Sequence, residues 1–235
     1  MARAAPDTAA PRRGAPAPAI TLTFDNGPEP EVTPVVLDVL RARGLRATFF
    51  VLGHKLAEPG RRALAERAAA EGHWIGNHSW SHAVPLGQAP DEARVADAEI
   101  GRTQALLGPL SHPDRYFRPQ GGAGALGQHL LSQAALDHLV RHRMTCVLWT
   151  AVPGDFRDPE GWAETAEAQC AGPDPVVLVL HDLPNGAVRH LDRFLGTVAD
   201  RGARFVQDFP DRVVPLRRGE RTGRIADYVT LGEVA

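Results

Sequence analysis

Short apolar runs alternate with amphipathic stretches along most of the chain, and this alternation constrains the fold more than any other feature. The runs at 20–24, 47–51 and 176–180 are rich in β-branched and aromatic residues, which is typical of strands buried on both faces. About seven such strands, separated by helices, require parallel pairing with right-handed crossover connections. The sequence therefore predicts an α/β fold, a distorted and incomplete (β/α) barrel, with an open doubly wound sheet as the alternative.

The 235 residues are interpreted as one folded domain with two dissimilar ends. Residues 1–18 are rich in Ala, Pro and Arg and are predicted to be a disordered arm. Residues 19–210 carry the alternation and form the barrel domain, in which the longest predicted helix spans 91–107. Residues 211–235 are interpreted as a polar C-terminal tail.

Composition and charge narrow the classes of function. Apolar residues make up 43% of the chain and charged residues 23%, as in ordinary soluble domains. A net charge of -2 argues against nucleic acid or a membrane as an electrostatic partner. The two cysteines, Cys146 and Cys170, predict neither a disulfide framework nor a cysteine metal site. The first eighteen residues lack the apolar stretch of a secretory signal, so a cytoplasmic location is expected.

Polar side chains follow the predicted strands at the points where the strands end. Asp25 and Asn26 come directly after the first strand, and Gly27 and Pro28 then turn the chain. Three further residues that can do chemistry stand at the ends of later strands or in the loops after them: Arg118, Asp155 and His181. Because the carboxyl ends of parallel strands lie on one edge of a sheet, the sequence predicts one hydrolytic site.

His78 and His82 are four residues apart, a spacing that places two imidazoles on one face of a helical turn. Two imidazoles within reach of one cation suit Zn and similar ions. A third protein ligand is needed to leave one position open for water, and the turn after the first strand offers Asp25 or Asn26. We therefore expect a divalent metal ion, Zn or alternatively Co or Ni.

Two of the polar residues also have plain structural interpretations. His181 follows an apolar strand, where the pattern by itself favours a hydrogen-bonded core histidine over a catalytic acid. Asp155 is placed to form a hydrogen bond with a ring nitrogen of His181 and to hold that ring protonated for acid catalysis. Arg118 opens a glycine-rich loop, where it is either a surface charge or the partner that keeps a carboxylate ionised.

In their order along the chain, five segments resemble the five motifs of the polysaccharide deacetylase (NodB-homology, carbohydrate esterase) family. These segments lie at 23–28, 78–82, 118–122, 149–156 and 180–181. The resemblance extends over nearly all of the chain outside its two ends. It implies a distorted β/α barrel and the metal-dependent removal of an N-acetyl group, a hydrolysis of a C–N bond that is not a peptide bond.

The resemblance also implies a role for each motif residue. Asp25 is implied as the general base, Arg118 as the arginine that tunes it, and His181 as the acid, supported by Asp155. His78 and His82 are implied as metal ligands, with Asn26 at the third ligand position. The backbone N–H of Gly121 would bind the oxyanion, and Trp149 and Leu180 would line the acyl pocket.

The chain departs from the family pattern at four positions. Asn26 replaces the aspartate that ligates the metal, so a neutral amide oxygen would bind the cation more weakly, and Asp25 is either the base or a ligand. Gly121 replaces a tyrosine, Phe156 a tryptophan and Val152 an acidic residue. These changes favour an amino sugar or another small N-acyl compound over a cell-wall polymer as the substrate.

Three functions therefore remain open. The first is a metal-dependent amide hydrolase. The second is a metal-independent hydrolase of cyclic amides, similar to the allantoinase-type branch of the fold, against which the presence of both His78 and His82 argues. The third is a binding protein without catalysis, against which the joint presence of four residues argues: Asp25, Arg118, Asp155 and His181.

Overall fold

A computed structural model describes residues 18–230 of the chain. Its centre is a curled sheet whose strands we number in chain order. The strands are β1 (Ala19–Asp25), β2 (Thr48–Val51), β3 (Trp74–Asn77), β4 (Tyr116–Phe117), β5 (Thr145–Cys146), β6 (Val176–His181), β7 (Arg204–Val206), β8 (Leu216–Arg217) and β9 (Glu220–Arg221).

Helices cover the sheet and connect its parallel strands. They are α1 (Thr33–Ala42), α2 (Gly53–Leu56), α3 (Pro59–Ala70), α4 (Ala93–Ala96), α5 (Arg102–Leu107), α6 (Gln133–Arg141), α7 (Trp162–Gln169) and α8 (Leu191–Asp200). Short 3₁₀ segments lie at Leu86–Gln88, Gly108–Leu110, Gln128–Leu130, Ala187–His190, Asp211–Val213 and Ile225–Tyr228.

The strand order confirms the predicted architecture. The strands β6, β1, β2, β3, β4 and β5 are neighbours in that order and all pair in parallel, and β7 also runs parallel to β1. After β5, a single parallel bridge between Ala151 and Leu178 brings the chain against β6. The sheet is thus an incomplete, distorted α/β barrel with seven parallel strands, extended by the antiparallel strands β8 and β9.

Local sequence explains why the first βα unit forms. Strand β1 is apolar and buried from Ile20 onward, and α1 begins with Thr33 followed by Pro34, whose fixed φ suits the first helical turn. The helix is followed by Gly44 at φ 65°, a left-handed conformation that glycine adopts without strain. The helix buries Val36, Leu37 and Leu40 against the sheet.

Two buried apolar clusters lie on the two faces of the parallel sheet. Along β6, Leu178 and Leu180 belong to the cluster under the helices, whereas Val177 and Val179 belong to the second cluster with Phe50. This follows from the two-residue period of a strand, which sends alternate side chains to opposite faces. Side-chain parity therefore decides which residues reach the interior of the barrel.

The helix predicted at 91–107 is interrupted. Between α4 and α5, residues Asp97–Gly101 form a π turn, in which the backbone bonds span five residues. Helical periodicity in the sequence predicts the length of this element, but it does not reveal a single widened turn.

The interpretation of residues after 210 as a polar tail requires correction. The described part, 211–230, pairs with β5 through β8 and buries five apolar side chains: Val213, Val214, Leu216, Ile225 and Val229. These residues are scattered among polar ones, so the sequence shows no run that signals burial. The segment completes the barrel domain, while 1–17 and 231–235, including almost all of the predicted arm, lie outside the described residues.

Two smaller expectations concern the cysteines and the membrane. Cys146 and Cys170 are both buried and neither forms a disulfide. Among the helices of the described chain, none is both long and apolar enough to cross a bilayer.

Candidate active site

The predicted site residues gather at the carboxyl ends of the parallel strands. Asp25 ends β1 and His181 ends β6, and the two are direct partners in the register of these strands. His78 follows β3 and Arg118 follows β4, directly after the paired residues Asn77 and Phe117. Backbone pairing therefore places these four residues at the same edge of the sheet.

A cavity of about 170 Å³ opens at this edge of the sheet. Seven of the ten predicted site residues line it: Asp25, Asn26, His78, His82, Gly121, Trp149 and His181. The loop 119–124 forms one wall, and Val152, Phe156, Val179 and Leu183 supply apolar surface. The three predicted residues outside the lining are Arg118, Asp155 and Leu180.

Arg118 lies behind Asp25, fully buried in the barrel interior. One terminal nitrogen, Nη1, donates to Asp25 Oδ1 at 2.9 Å and to Thr23 Oγ1 at 2.6 Å. The other side-chain nitrogens donate to the carbonyl oxygens of Val147 and Leu148, and the guanidinium stacks 4.1 Å from the ring of Phe50. The interpretation of Arg118 as a surface charge is thus excluded.

The surroundings of Asp25 keep it ionised. Burial raises the pKa of this carboxyl, but the positive charge of Arg118 and its hydrogen bond outweigh burial and lower the pKa below its usual range. Arg118 binds Oδ1 of Asp25, so Oδ2 is available for other contacts and lies 3.6 Å from His78 Nε2. Asp25 is therefore a buried carboxylate with one oxygen facing other reactive groups.

His78 and His82 approach each other, but not on a helix. Residues 78–82 form an irregular turn in which Ser79 and His82 have φ of 68° and 54°, and the two ring centroids are 4.8 Å apart. The expected helical turn is wrong because left-handed residues reverse the chain here, and periodicity does not predict them. The juxtaposition of the two rings agrees with the prediction.

Glu99, in the π turn, fixes this histidine turn, and sequence reasoning missed it. Its carboxylate accepts hydrogen bonds from the backbone N–H groups of Trp80 and Ser81 and from the hydroxyl of Ser81. The widened turn at Asp97–Gly101 changes which face of the helix Glu99 occupies. No motif or periodic pattern in the sequence marks this residue.

The donor atoms around the two histidines fit a divalent cation. His78 Nδ1 donates to the carbonyl oxygen of Arg118 at 2.8 Å, which leaves Nε2 as a lone-pair donor. Burial lowers the pKa of His78, and burial together with His78 lowers the pKa of His82 to about 3, so both rings are neutral. Asn26 Oδ1 is buried and lacks a hydrogen-bond partner among the described residues. Two neutral imidazoles and an unpaired amide oxygen suit such an ion.

Asp155 holds His181 through two hydrogen bonds. Its Oδ1 accepts from His181 Nδ1 at 2.8 Å and its Oδ2 from the backbone N–H of His181 at 2.7 Å. Burial lowers the pKa of this histidine, but the hydrogen bond and charge of Asp155 outweigh burial and raise the pKa above its ordinary value. Ring Nε2 is left free, and the pairing matches the one that the sequence predicts.

Trp149 and Gly121 are matched to each other. A Cβ on residue 121 would lie 2.4 Å from the indole of Trp149, so only glycine fits there. The indole Nε1 also donates to the carbonyl oxygen of Gly124 at 2.9 Å, which ties the ring to the loop. In this chain Trp149 forms the wall of the cavity next to residue 121.

The placement of Leu180 in the acyl pocket is wrong. Its side chain faces the helices, where it packs in the cluster that contains Trp162 and Leu191, and Val179 lines the cavity instead. Strand parity is the reason, since His181 and Val179 share one face of β6 and Leu180 lies on the other.

Asp182 stabilises the turn that follows β1. It is fully buried, donates its backbone N–H to the carbonyl oxygen of Asp25, and accepts from Thr33 Oγ1 at 2.6 Å through Oδ2. A Cβ on Gly27 would lie 2.5 Å from Oδ2, so the turn needs glycine. Burial raises the pKa of Asp182 to about 7.

Comparisons with known proteins identify the class to which this fold and site belong. The sequence profile of the family described as polysaccharide deacetylase matches residues 12–140, more than half of the chain. The chain belongs to the polysaccharide deacetylase family. The predicted enzyme class, hydrolases of C–N bonds other than peptide bonds, is confirmed for the family, since its relatives are named deacetylases.

Individual relatives add detail to this assignment. A peptidoglycan-N-acetylglucosamine deacetylase of Listeria monocytogenes is 29% identical over 188 residues, which are 80% of this chain and 37% of the relative. The chain thus spans little more than a third of that relative's length. A chitooligosaccharide deacetylase of Sinorhizobium fredii is 32% identical over 175 residues, 73% of this chain and 75% of the relative.

The fold is also found in solved structures. A family 4 acetyl xylan esterase from Clostridium thermocellum, in complex with a cobalt ion, superposes with a TM-score of 0.64 and 28% sequence identity. The match covers 80% of this chain and 87% of the esterase. The curled parallel sheet is therefore the barrel of the family.

Replacing Asp182 with asparagine is expected to change how stability depends on pH. The folded-state pKa of about 7 lies above the ordinary value of 3.8, so the carboxyl stabilises the fold below pH 4, and this contribution is lost as pH rises toward 7. The loss amounts to about 4 kcal/mol, from about three pKa units at 1.36 kcal/mol each. Urea unfolding at pH 4.5 and pH 8 should show this decline in the wild type and a smaller one in Asp182→Asn.

Asp200→Asn, at an exposed carboxyl, is the control and should follow the wild type. Equal pH dependence of the free energy of unfolding in wild type and Asp182→Asn would contradict the raised pKa.

Proposed function

We propose that this chain is a metal-dependent hydrolase that removes an acetyl or similar acyl group from the nitrogen of an amino sugar. One observation carries the proposal: a single cavity joins an ionised carboxylate and a protonatable imidazole on paired strands, with two neutral imidazoles beside them. The relatives named for peptidoglycan and chitooligosaccharide support an N-acetyl amino sugar as the class of substrate.

Asp25 is the general base in this proposal. Arg118 holds Oδ1 and keeps the carboxylate ionised, so Oδ2 is available to accept a proton from the attacking water. Loss of that proton makes the water oxygen nucleophilic toward the amide carbon as the new C–O bond forms. The buried position of Asp25 fixes this oxygen without reorganisation.

His181 is the general acid. The hydrogen bond and charge of Asp155 raise the pKa of His181 and so favour the protonated ring, and because Asp155 accepts from Nδ1, Nε2 remains to donate. When the C–N bond breaks, the nitrogen takes the Nε2 proton and leaves as a neutral amine, since an amine anion is too poor a leaving group. Acetate and the free amino sugar are the products.

His78, His82 and Asn26 would hold the divalent cation. When bound, such an ion supplies Lewis-acid polarisation of the amide carbonyl and of the attacking water. Zn is the expected ion, with Co or Ni as alternatives, and the cobalt ion in the related esterase supports an ion of this kind. Because Asn26 contributes no charge, the site should bind the cation less tightly than one with a carboxylate at this position.

The shape of the cavity limits the group that enters it. Its volume of about 170 Å³ is below the ~300–1,000 Å³ of sites that enclose drug-sized ligands, so it accommodates the acyl group while the rest of a large substrate stays outside. Trp149 and Val179 give apolar walls for the methyl group. The backbone N–H of Gly121, in the loop 119–124, is the proposed donor to the oxyanion.

The proposal is tested by acetate release from N-acetylglucosamine, chitooligosaccharides of increasing length and peptidoglycan, with the full chain loaded with Zn²⁺ or Co²⁺. Asp25→Asn and His181→Ala should each lower kcat/KM by about 10²–10⁴, since each removes a proton-transfer group. His190→Ala changes a histidine outside the cavity and should leave turnover unchanged.

The same assay separates the other two functions. Turnover of cyclic amides by chain without bound metal would favour the metal-independent hydrolase. If Asp25→Asn and His181→Ala match the wild type on every substrate, the catalytic assignment is wrong and the binding function takes its place.

Asp155→Asn should shift the alkaline limb of the kcat/KM profile to lower pH. Activity that needs protonated His181 declines as pH rises through its pKa, and Asp155 raises that pKa. Loss of the carboxylate charge therefore lowers the pKa and narrows the active range from the alkaline side. Asp158→Asn is the matched control, because Asp158 also accepts backbone hydrogen bonds but lies outside the cavity. If the alkaline limb of the Asp155→Asn profile does not shift, Asp155 does not set the pKa of the general acid.

Asn26→Asp should tighten metal binding by at least about tenfold, equivalent to about 1.4 kcal/mol, because a carboxylate replaces a neutral ligand. Residue 26 has φ of 72°, a conformation that aspartate also tolerates, so the backbone need not change. Competition against a chromogenic chelator gives Kd for Zn²⁺. Asn185→Asp adds the same charge at a residue that does not line the cavity, and equal tightening in both variants would remove Asn26 from the ligand set.

A further inference from the structure

We propose a second transition-metal site, formed by Asp97, His138 and His142 on the helical surface of the barrel. His138 and His142 are four residues apart across the C-terminal end of α6, and their ring centroids are 4.3 Å apart. Asp97 comes from the π turn between α4 and α5, and its Oδ1 lies 2.9 Å from His138 Nδ1. One ligand atom from each residue lies within 4.8 Å of the other two, close enough for one cation.

The three residues differ in exposure in a way that suits a bound ion. His138 is only 3% exposed and forms the base of the cluster, whereas Asp97 and His142 are exposed. A cation can therefore enter from solvent, find a fixed buried ligand, and keep a coordination position for water. Burial and the neighbouring His142 lower the pKa of His138, so its ring is a neutral ligand despite the contact with Asp97.

The local backbone is shaped around His138. A π turn is rare in proteins, and here it contains Asp97 at its start and Gly101 at its end. A Cβ on Gly101 would lie 3.0 Å from His138 Cε1, so glycine makes room for the ring. A glycine inside a helix costs about 1 kcal/mol relative to alanine. The π turn and the glycine within it are both locally unfavourable, and both lie beside the His138 imidazole; such exceptions to local preference occur at functional sites.

The end of the cluster formed by His142 lies toward the end of the barrel opposite to the candidate active site. The helix α6 leads into β5 at its amino end, and Arg115, directly before β4, donates to the carbonyl oxygen of His142. Asp25 and His181 stand at the carboxyl ends of their strands. In barrels of this type, residues at the amino end of the strands serve stability, so the second ion would stabilise the fold without contacting the reacting groups.

The donor set selects the class of cation. Two imidazoles and one carboxylate suit Zn²⁺, Co²⁺ or Ni²⁺, whereas Ca²⁺ and Mg²⁺ prefer oxygen ligands. A bound ion would join the π turn to α6, which the hydrogen bond between Asp97 and His138 already connects. The same π turn carries Glu99, which holds the turn with His78 and His82, so the second site would also stiffen that segment.

Counting Co²⁺ bound by the full chain, after removal of metal with a chelator, tests the proposal. The visible absorbance of Co²⁺ reports tetrahedral or five-coordinate ligation. His142→Ala should lose one equivalent relative to its parent, both in the wild type and in His82→Ala. With Co²⁺ at a hundredfold excess over Kd, the melting temperature of His82→Ala should rise by about 5–10 °C, and that of His82→Ala/His142→Ala should not rise.

His142 is exposed, so its replacement should leave the metal-free melting temperature unchanged and a loss of binding cannot be attributed to unfolding. The matched control is His190→Ala, because His190 also faces a carboxylate, Glu160, at 3.2 Å but belongs to no three-ligand cluster in the described chain. Asp97→Ala should weaken the same equivalent at least tenfold. Unchanged Co²⁺ stoichiometry in His142→Ala, or equal losses in His142→Ala and His190→Ala, would overturn the second site, whatever the first site binds.

Discussion

The ion pair between Arg118 and Asp25 is the interaction on which the rest of the structure depends. Two charges buried in a barrel interior lose hydration that costs several kcal/mol each, and only good geometry with further hydrogen bonds offsets that cost. Arg118 has this geometry, since its donors reach Asp25, Thr23 and the carbonyl oxygens after β5. The pair therefore links β1, β4 and the chain beyond β5, and the reactive carboxylate is held by the same contacts that hold the sheet.

This arrangement makes the stability of the fold and the state of the site inseparable. Removal of one partner of a buried pair typically costs 3–5 kcal/mol, because the other charge is left without compensation. The remaining groups depend on neighbours in the same way: His78 on the carbonyl oxygen of Arg118, and His181 on Asp155. Asp25, His78 and His181 are thus each oriented by a second group that does not line the cavity or that belongs to the backbone.

Much of this could be predicted from the sequence, because strand ends and ordered motifs are local signals. The apolar runs placed β1, β2 and β6, and polar residues directly after them located Asp25 and His181. Leu180 was misplaced because side-chain parity depends on where the strand starts facing the interior, which sequence letters do not specify. The histidine turn was misjudged because the positive φ of Ser79 and His82 leaves no pattern in the sequence.

The supporting residues were the least predictable. Glu99 and Asp182 act through contacts across the fold, and their sequence surroundings resemble those of ordinary helical and loop residues. Likewise, residues 211–230 are polar on average, yet a few apolar side chains among them are buried once β8 pairs with β5. Long-range contacts of this kind become visible only in three dimensions.

The pairing of Asp25 with His181 in the register of β1 and β6 has a consequence for protein engineering. Strand spacing and backbone hydrogen bonds determine how far apart these two groups stand, whereas the loop 119–124 shapes the mouth of the cavity. The spacing of the proton-transfer pair therefore depends on the strands, whereas much of the substrate-facing wall depends on one loop. A library that varies residues 122–124 and keeps Gly121 would explore new acyl substrates while Asp25 and His181 keep their spacing.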